Sequence, residues 1–267
     1  MAIVIASYNN ETLVEWNLKN ALLQEYDNFH VYYVNDCSTD NTSEAVRAFA
    51  KQLGKEELIT VIDNEERAGS HVHNQYKVIH ELLSDDTIAV ILDGDDALEG
   101  RRVLSYINAV YQDPDIWLTY GQCLGTVSMA KGISKVLEPQ YIEEKAYRYH
   151  HIFFFHLRTF YSWLFKKIDP VDMQFEGKFI RYEGDVAFML PMIEMAANGH
   201  YQFLDKILYI YNQGNPISDH KIALENQIAT DLWIRLRAEY PALDITDPDV
   251  EAHYERVALQ DASTDAS

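Results

Sequence analysis

The feature that most constrains the fold is an alternation of short β-rich apolar runs with longer amphipathic segments in the N-terminal part of the chain. The apolar runs are AIVIAS (2–7), HVYYVN (30–35), LITVID (58–63) and TIAVIL (87–92). The segments between them have the length and periodicity of crossover helices; in the first, Val14, Leu18 and Leu22 share one helical face. The alternation therefore predicts βαβ units and an α/β fold with a mostly parallel central sheet flanked by helices.

Polar clusters follow each of these four apolar runs, at the points where the strands of such a sheet end. They read SYNN, NDCSTDN, NEERAGS and DGDD. The carboxyl ends of parallel strands share one edge of a sheet, and ligands of these folds bind beyond that edge. We therefore expect the four clusters to converge on one site.

The alternation loosens after residue 100. Helices are predicted over RRVLSYINAVYQ (101–112), 150–168 and 184–198, and strands over IWLTYGQCLGTVSM (116–129) and FLDKILYIYN (203–212). The order of these later strands in the sheet does not follow from the sequence.

Composition narrows the class of protein. The chain has 267 residues, of which 48% are apolar, and this is enough for one large domain. With 42 acidic against 22 basic residues, its net charge of −20 argues against nucleic acid as a partner. Cys37 and Cys123 lie far apart and form no metal-ligand spacing, so a reducing, cytoplasmic setting is expected. No export leader and no run of about 18 apolar residues is recognisable, so no membrane span is expected.

The acidic turn DGDD places Asp93, Asp95 and Asp96 directly after an apolar strand. Carboxylates this close repel one another, and the arrangement is costly unless a cation or a bound hydroxyl compensates it. Hard cations such as Mg²⁺ or Mn²⁺ prefer oxygen ligands, so the turn predicts a metal site. A solvated acidic turn is the alternative. An EF-hand loop is excluded, because Leu98 and Leu104 occupy its required glycine and last-ligand positions.

Three motifs together resemble the family 2 glycosyltransferases of the GT-A fold, namely VIASYNN, VNDCSTDNT and LDGDDAL. Strands of that family end, in this order, in Ser-Tyr-Asn, Asp-Asp-x-Ser-x-Asp and Asp-x-Asp-Asp. One position departs from the pattern, since Asn35 replaces the first aspartate of the second motif. The resemblance implies a GT-A, Rossmann-like fold and a metal-dependent, inverting glycosyltransferase of the hexosyltransferase type. Such an enzyme moves a sugar from a nucleoside diphosphate donor, here expected to be a UDP-sugar, to an acceptor hydroxyl.

The resemblance also implies a division of the chain. Residues 1–215 would form the GT-A domain, in which 1–100 bind the nucleotide-sugar and 101–215 supply the acceptor side and the catalytic base. A C-terminal helix is expected over 216–241, and Ser218 can cap it. The remainder, 242–267, is acidic with little periodicity and is predicted to be a mobile tail.

Donor-binding roles follow from the same resemblance. Ala6 would offer backbone contacts, Tyr8 would stack on or beside the uracil, and Asp36 would contact the uracil ring. A strand-end aromatic without a ligand role is the alternative for Tyr8. The acceptor itself, a saccharide, a lipid-linked molecule or a protein, is not defined by these motifs.

The segment ERAGSHVHNQYK matches a further part of the family pattern, an arginine before a glycine followed by an Arg-Asn pair on a helix. Arg67 fits the first arginine, and Asn74 fits the asparagine, with His73 in place of the second arginine. Arg67 would pair with a phosphate of the donor, and a surface salt bridge is the alternative.

Within the acidic turn, the resemblance implies that Asp95 or Asp96 contacts the metal. Asp93 would contact the ribose or a metal-bound water, and Gly94 would leave room for the ligand to approach the backbone. The segment YNQGNPISDHK resembles a loop that closes over the donor in these enzymes, and its His220 would give the metal a nitrogen ligand. A surface histidine is the alternative.

A general base is needed to take the proton from the acceptor hydroxyl. Family members carry it in a Glu-Asp or Gly-Asp pair that opens a helix well downstream of the metal motif, and IRYEGDVAFM supplies Asp185 there. Glu183 is the second candidate. A helix-start acid that merely favours the helix dipole is the other interpretation.

The segment at 147–167 combines basic and aromatic residues without one acid. Its helical aromatic faces are typical of core. Alternatively, His156 and Arg158 line the acceptor pocket, or the segment touches an anionic membrane surface beside a lipid-linked acceptor, at the inner face of a membrane.

Two other classes of protein compete with a glycosyltransferase. A sugar-phosphate nucleotidylyltransferase shares a related sheet but needs a Gly-rich, basic loop after its first strand, and SYNNETLV is neither. A nucleotide-sugar-binding protein that lost catalysis would keep the same motifs, and donor turnover would distinguish it from an enzyme.

Overall fold

The computed structural model describes residues 1–149, 154, 156–215 and 224–264. Its strands are β1 (Ala2–Ser7), β2 (His30–Asn35), β3 (Ile59–Asp63), β4 (Ile88–Asp93), β5 (Ala97–Leu98), β6 (Leu118–Gly125), β7 (Arg158–Tyr161), β8 (Gln174–Phe175), β9 (Lys178–Phe179) and β10 (Tyr201–Tyr211). Its helices are α1 (Val14–Leu22), α2 (Thr42–Leu53), α3 (His71–Leu82), α4 (Val103–Val110), α5 (Pro139–Glu143), α6 (Ser162–Lys166), α7 (Gly184–Met195), α8 (Leu224–Arg235) and α9 (Pro248–Thr264).

One mixed sheet of eight strands forms the centre of the molecule, in the order β3-β2-β1-β4-β7-β6-β10-β5. Strands β1 to β4 run parallel to one another, and β6 runs parallel to β10. Strand β7 is antiparallel to both of its neighbours, and β5 is antiparallel to β10. The prediction of a mostly parallel sheet flanked by helices is confirmed.

The first four strands and the three helices between them lie where the apolar pattern places them. Strand β4 is a continuous apolar run because it lies between β1 and β7, and its residues Ala89 to Leu92 are buried. In α1, Val14, Leu18 and Leu22 are buried as the helical periodicity predicts. Later elements that match their predictions are α4, β6, α7 and β10.

The predicted helix at 150–168 is wrong for most of its described residues. Strand β7 and the short helix α6 occupy Arg158–Tyr161 and Ser162–Lys166. The strand is inserted between β4 and β6, with Thr159 paired to Val90 on one side and to Thr119 on the other. All four residues of the strand are buried, the polar ones included, so the segment shows no alternation that would identify it as a strand. The interpretation of this segment as core is confirmed for residues such as Phe160 and Phe165.

The predicted mobile tail at 242–267 is also wrong, because α9 covers Pro248–Thr264. Val250 and His253 of this helix are buried. The imidazole of His253 packs against Tyr161 and Trp163, and its Nε2 lies 3.0 Å from the carbonyl oxygen of Pro114. Two buried anchors on one turn thus hold a helix that is otherwise strongly acidic.

Of the helix predicted at 216–241, the structure describes α8, and Ser218 lies outside the described residues. Within the part of the chain that the structure describes, no helix is long and apolar enough to cross a membrane.

Candidate active site

A cleft of about 1210 Å³ opens beyond the carboxyl ends of β1, β2 and β4. The polar clusters that follow the first four strands converge there, as the sequence predicts. Most of the predicted site residues line it: Ala6, Tyr8, Asp36, Arg67, Asn74, Asp93, Asp95, Asp96, His156, Arg158, Glu183 and Asp185. Gly94 is not among its lining residues, and His220 lies outside the described residues.

Asp96 is the most buried carboxylate of the acidic turn, with 1% of its surface exposed. Its Oδ2 accepts a hydrogen bond from the Tyr209 hydroxyl at 2.7 Å, and its Oδ1 accepts one from the Asn212 N–H at 2.6 Å. Burial, followed by the charges of Asp95 and Asp93, raises the pKa of the Asp96 carboxyl well above its usual range. The turn therefore concentrates negative charge that a bound cation would stabilise.

The backbone of the acidic turn is held from two sides. The side-chain amide of Asn17, on α1, donates to the carbonyl oxygens of Asp93 and Asp96 at 2.9 and 2.7 Å. On the other side, the turn approaches β1 so closely that a Cβ added to Gly94 would lie 2.5 Å from the Cβ of Ser7. The close approach that requires glycine here is thus made to Ser7, and this contact fixes the turn against the end of β1.

Among the described residues, Asp93, Asp96 and His156 form a group that fits a metal ion, since each offers one ligand atom and these atoms lie within 4.8 Å of one another. Two carboxylates and one imidazole suit Mn²⁺ or a similar cation. Burial and the Arg158 charge lower the pKa of His156 well below its usual value, so the imidazole is neutral. Its contact with Asp93, 3.5 Å between Nε2 and Oδ2, is therefore not an ion pair. Asp95 accepts a hydrogen bond from Asn215 at 2.6 Å.

Asp36 directly follows β2 and lines the same cleft, where the nucleoside is expected. Its Oδ1 accepts from the Ala68 N–H at 2.8 Å and from the Asn64 side chain at 2.9 Å, and its Oδ2 accepts from the Gly69 N–H at 2.9 Å. The Asn64 amide also donates to Asn74 at 2.8 Å. These bonds fix the carboxylate rigidly and leave it 5% exposed.

The structure explains why asparagine, and not the aspartate of the family motif, occupies position 35. Its side-chain amide donates to Asp63 Oδ1 and to the Ser43 hydroxyl, both at 3.0 Å, and its side-chain oxygen accepts from the Ser38 N–H. An aspartate at this position would turn a carboxylate toward that of Asp63. Asparagine therefore keeps the loop after β2 in place without charge repulsion.

Arg67 contacts Tyr8 directly, with the guanidinium carbon 3.6 Å from the ring centroid. This is a cation–π arrangement. A nucleobase that stacks beside Tyr8 would meet either the opposite face of the ring or the Arg67 guanidinium.

Asp185 lies in the first turn of α7 and also lines the cleft. Its Oδ2 accepts a hydrogen bond from Arg158 Nη2 at 2.5 Å. Glu183 precedes the helix with a positive φ of 54°. Burial, together with the charges of Asp185 and Asp231, raises the pKa of Glu183 to about 7. The two candidate bases thus lie beside each other in different surroundings.

The model of one family, described as glycosyl transferase family 2, matches residues 2–165. The chain belongs to this family. The matched residues include the acidic turn, Asp36 and Arg158. No curated protein matches the chain.

Several solved structures resemble this member of family 2. TarS 1–349 from S. aureus in complex with UDP-GlcNAc is 18% identical with a TM-score of 0.63, over 96% of this chain and 69% of that chain. Mannosyltransferase PcManGT from Pyrobaculum calidifontis in complex with GDP-Man and Mn²⁺ is 18% identical with a TM-score of 0.59, over 100% and 75%. Glucosyl-3-phosphoglycerate synthase from Mycobacterium tuberculosis in complex with Mn²⁺, UDP and phosphoglyceric acid is 12% identical with a TM-score of 0.60, over 89% and 79%.

At these identities the likeness shows the fold, and the GT-A, Rossmann-like architecture expected from the motifs is confirmed. The chain spans 60% of the length of another TarS 1–349 structure and 42% of a longer TarS structure.

The sequence did not predict several residues that build the cleft. Tyr209 on β10 and Asn17 on α1 hold the acidic turn from positions remote in sequence. Ser7 was visible in the SYNN motif, but its contact with Gly94 depends on the register of β1 against β4. The pattern of the chain gives no signal for such pairings, because they arise from tertiary packing.

Proposed function

We propose that this glycosyltransferase moves a sugar from a nucleoside diphosphate donor, with UDP as the expected nucleotide, to an acceptor hydroxyl with inversion at the anomeric carbon. We further propose that donor binding depends on a divalent cation, Mn²⁺ or Mg²⁺. One observation carries the proposal: the acidic turn and the helix-start carboxylate of Asp185 face the same cleft at the carboxyl edge of the sheet. Solved relatives bound to UDP, UDP-GlcNAc or GDP-Man support a nucleotide-sugar donor.

We call the part of the cleft at the ends of the first four strands the donor wall. It would bind the nucleoside at one end and the diphosphate at the other. Asp36 would accept a hydrogen bond from the base, Tyr8 would flank it, and Ala6 would contact it through the backbone. Arg67 would leave the Tyr8 ring to pair with a phosphate, and Asn74 would lie beside it. These roles follow the family pattern, and the lining of the cleft is compatible with them.

The diphosphate end would hold the cation. Asp96, with Asp93 and His156, offers the converging ligand atoms, and Asp95 lies on the same turn. The loop residue His220 stays a predicted ligand from the sequence. When bound, a divalent cation would neutralise the charge on the departing diphosphate.

We call the part of the cleft lined by β7, α7 and α8 the acceptor wall. The proton transfer would take place there. As the acceptor oxygen attacks the anomeric carbon, the bond from that carbon to the diphosphate breaks on the opposite face, which inverts the centre. Asp185 would take the acceptor's proton. Glu183 is the second candidate, and its pKa of about 7 keeps part of it protonated at neutral pH.

The first experiment is a thermal unfolding screen of nucleoside diphosphates and nucleotide-sugars in Mn²⁺ and in EDTA. A ligand that binds only the folded chain stabilises it by about 2.7 kcal/mol at 100 times its dissociation constant. We expect UDP and at least one UDP-sugar to stabilise the chain in Mn²⁺ and much less in EDTA. Release of UDP from the stabilising sugar would then establish catalysis.

Three outcomes separate the alternatives. Stabilisation by a UDP-sugar with turnover supports the proposal. Stabilisation without turnover for any acceptor tested would favour a binding protein that lost catalysis. If no nucleotide stabilises the chain in Mn²⁺, the donor proposal is wrong.

A further inference from the structure

Arg158 lines the cleft beside Asp185, and its side chain is 5% exposed. Its Nε donates to the carbonyl oxygen of Phe154 at 2.6 Å. Its Nη2 donates to Asp185 Oδ2 at 2.5 Å, and its Nη1 lies 3.1 Å from Nδ1 and 3.2 Å from Nε2 of the His156 ring. Each of the three guanidinium nitrogens therefore has a protein partner.

The contacts continue from His156 to the acidic turn. The imidazole stacks on the Tyr209 ring with centroids 4.1 Å apart and an interplanar angle of 11°. Its Nε2 lies 3.5 Å from Asp93 Oδ2, and the Tyr209 hydroxyl donates to Asp96. An unbroken series of contacts thus joins the carboxylates of the donor wall to Asp185.

The position of Arg158 is set by the sheet. It is the first residue of β7, and it pairs with Ile91 of β4, two residues before Asp93. The acidic turn and the guanidinium are consequently carried by neighbouring, hydrogen-bonded strands. Asp185, in contrast, lies on helix α7, outside the sheet. The sheet therefore does not fix its position relative to the acidic turn, and another contact must do so.

We propose that Arg158 is a positioning residue of the transfer reaction, which holds Asp185 by one carboxylate oxygen and fixes it relative to the acidic turn. The proposal rests on the proposed role of Asp185 as the general base. With Oδ2 held by the guanidinium, Oδ1 is the oxygen that meets the acceptor hydroxyl. A misplacement of about 1 Å in such a group can cost about 10²-fold in rate, which makes a fixed carboxylate valuable.

Direct contact between Arg158 and the acceptor, which the sequence suggested, is less compatible with this geometry. All three guanidinium nitrogens already have protein partners, so the side chain is committed to those partners rather than to a substrate. The planar guanidinium instead suits the task of joining two separate groups at fixed angles, which a lysine ammonium cannot do equally well.

The test compares Arg158→Met and Arg158→Lys with a matched control, Arg148→Lys. Arg148 is equally buried, at 4%, and forms a bidentate pair with Glu194 at 2.5 and 2.7 Å. Each of these variants disturbs a buried arginine–carboxylate pair, but only Arg158 contacts the proposed base. Turnover is measured as UDP release from UDP-glucose and UDP-N-acetylglucosamine in Mn²⁺, with water and with glycerol as acceptors, and UDP affinity is measured by calorimetry.

We expect Arg158→Met to lower kcat by about 10 to 10²-fold with UDP affinity near wild type, and added guanidinium to restore part of the rate. Arg148→Lys should lower stability and leave kcat unchanged. In an Asp185→Asn background, Arg158→Met should cause no further loss, because both changes remove the same function. An equal further loss in that background, or a parallel loss of UDP affinity, would overturn the proposal.

A crystal structure of Arg158→Met gives a second readout that does not depend on the donor. We expect the Asp185 carboxylate to leave its wild-type position while the backbone of α7 stays in place. A carboxylate that keeps its position contradicts the positioning role. Failure of the proposed function is recognised separately, since Asp185→Asn would then retain full turnover by itself.

Discussion

Asp36 is a carboxylate whose position depends on backbone donors rather than on a charged partner. Asp36→Ala should weaken UDP binding by about 1–3 kcal/mol, the cost of losing a buried charged acceptor. Asp27→Ala is a suitable control, because Asp27 is an exposed aspartate that does not line the cleft. Calorimetric titration with UDP measures both. Equal UDP affinity in wild type and Asp36→Ala would show that the base does not bind there.

Asp185 is the residue on which the proton transfer depends. Asp185→Asn keeps the shape of the side chain but removes its basicity, so transfer should fall by about 10² to 10⁴-fold. UDP and metal affinity should stay near wild type, because the residue lies on the acceptor wall. Initial rates with a hydroxyl acceptor, compared with UDP titrations, check this. Full transfer by the variant would move the role to Glu183, and lost UDP binding would exclude Asp185 as the base.

Glu183 predicts a pH dependence of stability. Its pKa is about 7 in the folded chain against an ordinary value of 4.5, so between these values the folded state holds a proton that the unfolded state releases. The contribution of this group to the free energy of unfolding should therefore fall as pH rises from about 4.5 to 7. Glu183→Gln should flatten the dependence in that window. Urea unfolding of both proteins on either side of the window measures it, and identical slopes would contradict the shifted pKa.

The motifs predicted the charged residues of the cleft. They did not predict the residues whose hydrogen bonds fix those charged residues in place. Asp93, Asp95 and Asp96 are adjacent in sequence, so their clustering is visible without a structure. Tyr209 and Asn17 act on the same turn from β10 and α1, and only the tertiary fold brings them there. Partners of this kind escape any local pattern.

At the scale of elements, β7 and α9 show where periodicity misleads. Strand β7 is buried on both faces, and its polar residues are buried as well, so its sequence lacks the alternation that identifies a half-buried strand. Helix α9 is strongly acidic, and its few buried residues are too sparse to form a recognisable stripe. The first four strands were predictable because a polar cluster follows each apolar run and an amphipathic helical segment separates it from the next.

Removal of α9 tests whether that helix is part of the fold. A chain ending at Asp247 should lose at least about 1.5–3 kcal/mol of unfolding free energy, the worth of burying one valine-sized side chain. It should also shift the tryptophan emission, because His253 covers Trp163. Glu251→Ala, an exposed change on the same helix, is the control. An unchanged denaturation midpoint and emission spectrum would indicate that the segment does not pack on the domain.

At the scale of the whole molecule, the two walls of the cleft were predictable to different degrees. The donor wall is built from consecutive strand ends in the first part of the chain, and parallel-sheet topology alone brings them together. The acceptor wall combines β7, α7 and α8, whose arrangement depends on an antiparallel insertion that the sequence did not reveal. If the proposed acceptor binds at that wall, the motifs can predict a donor class but no acceptor.

The central claim is that a donor diphosphate binds at the acidic turn through a divalent cation. The most direct measurement is a calorimetric titration of the whole chain with UDP in Mn²⁺ and in EDTA, with uridine as the control that lacks phosphates. UDP should bind at least about tenfold more tightly in Mn²⁺, a difference of about 1.4 kcal/mol, while uridine should bind equally in both. Equal UDP affinity with and without the metal would contradict the account.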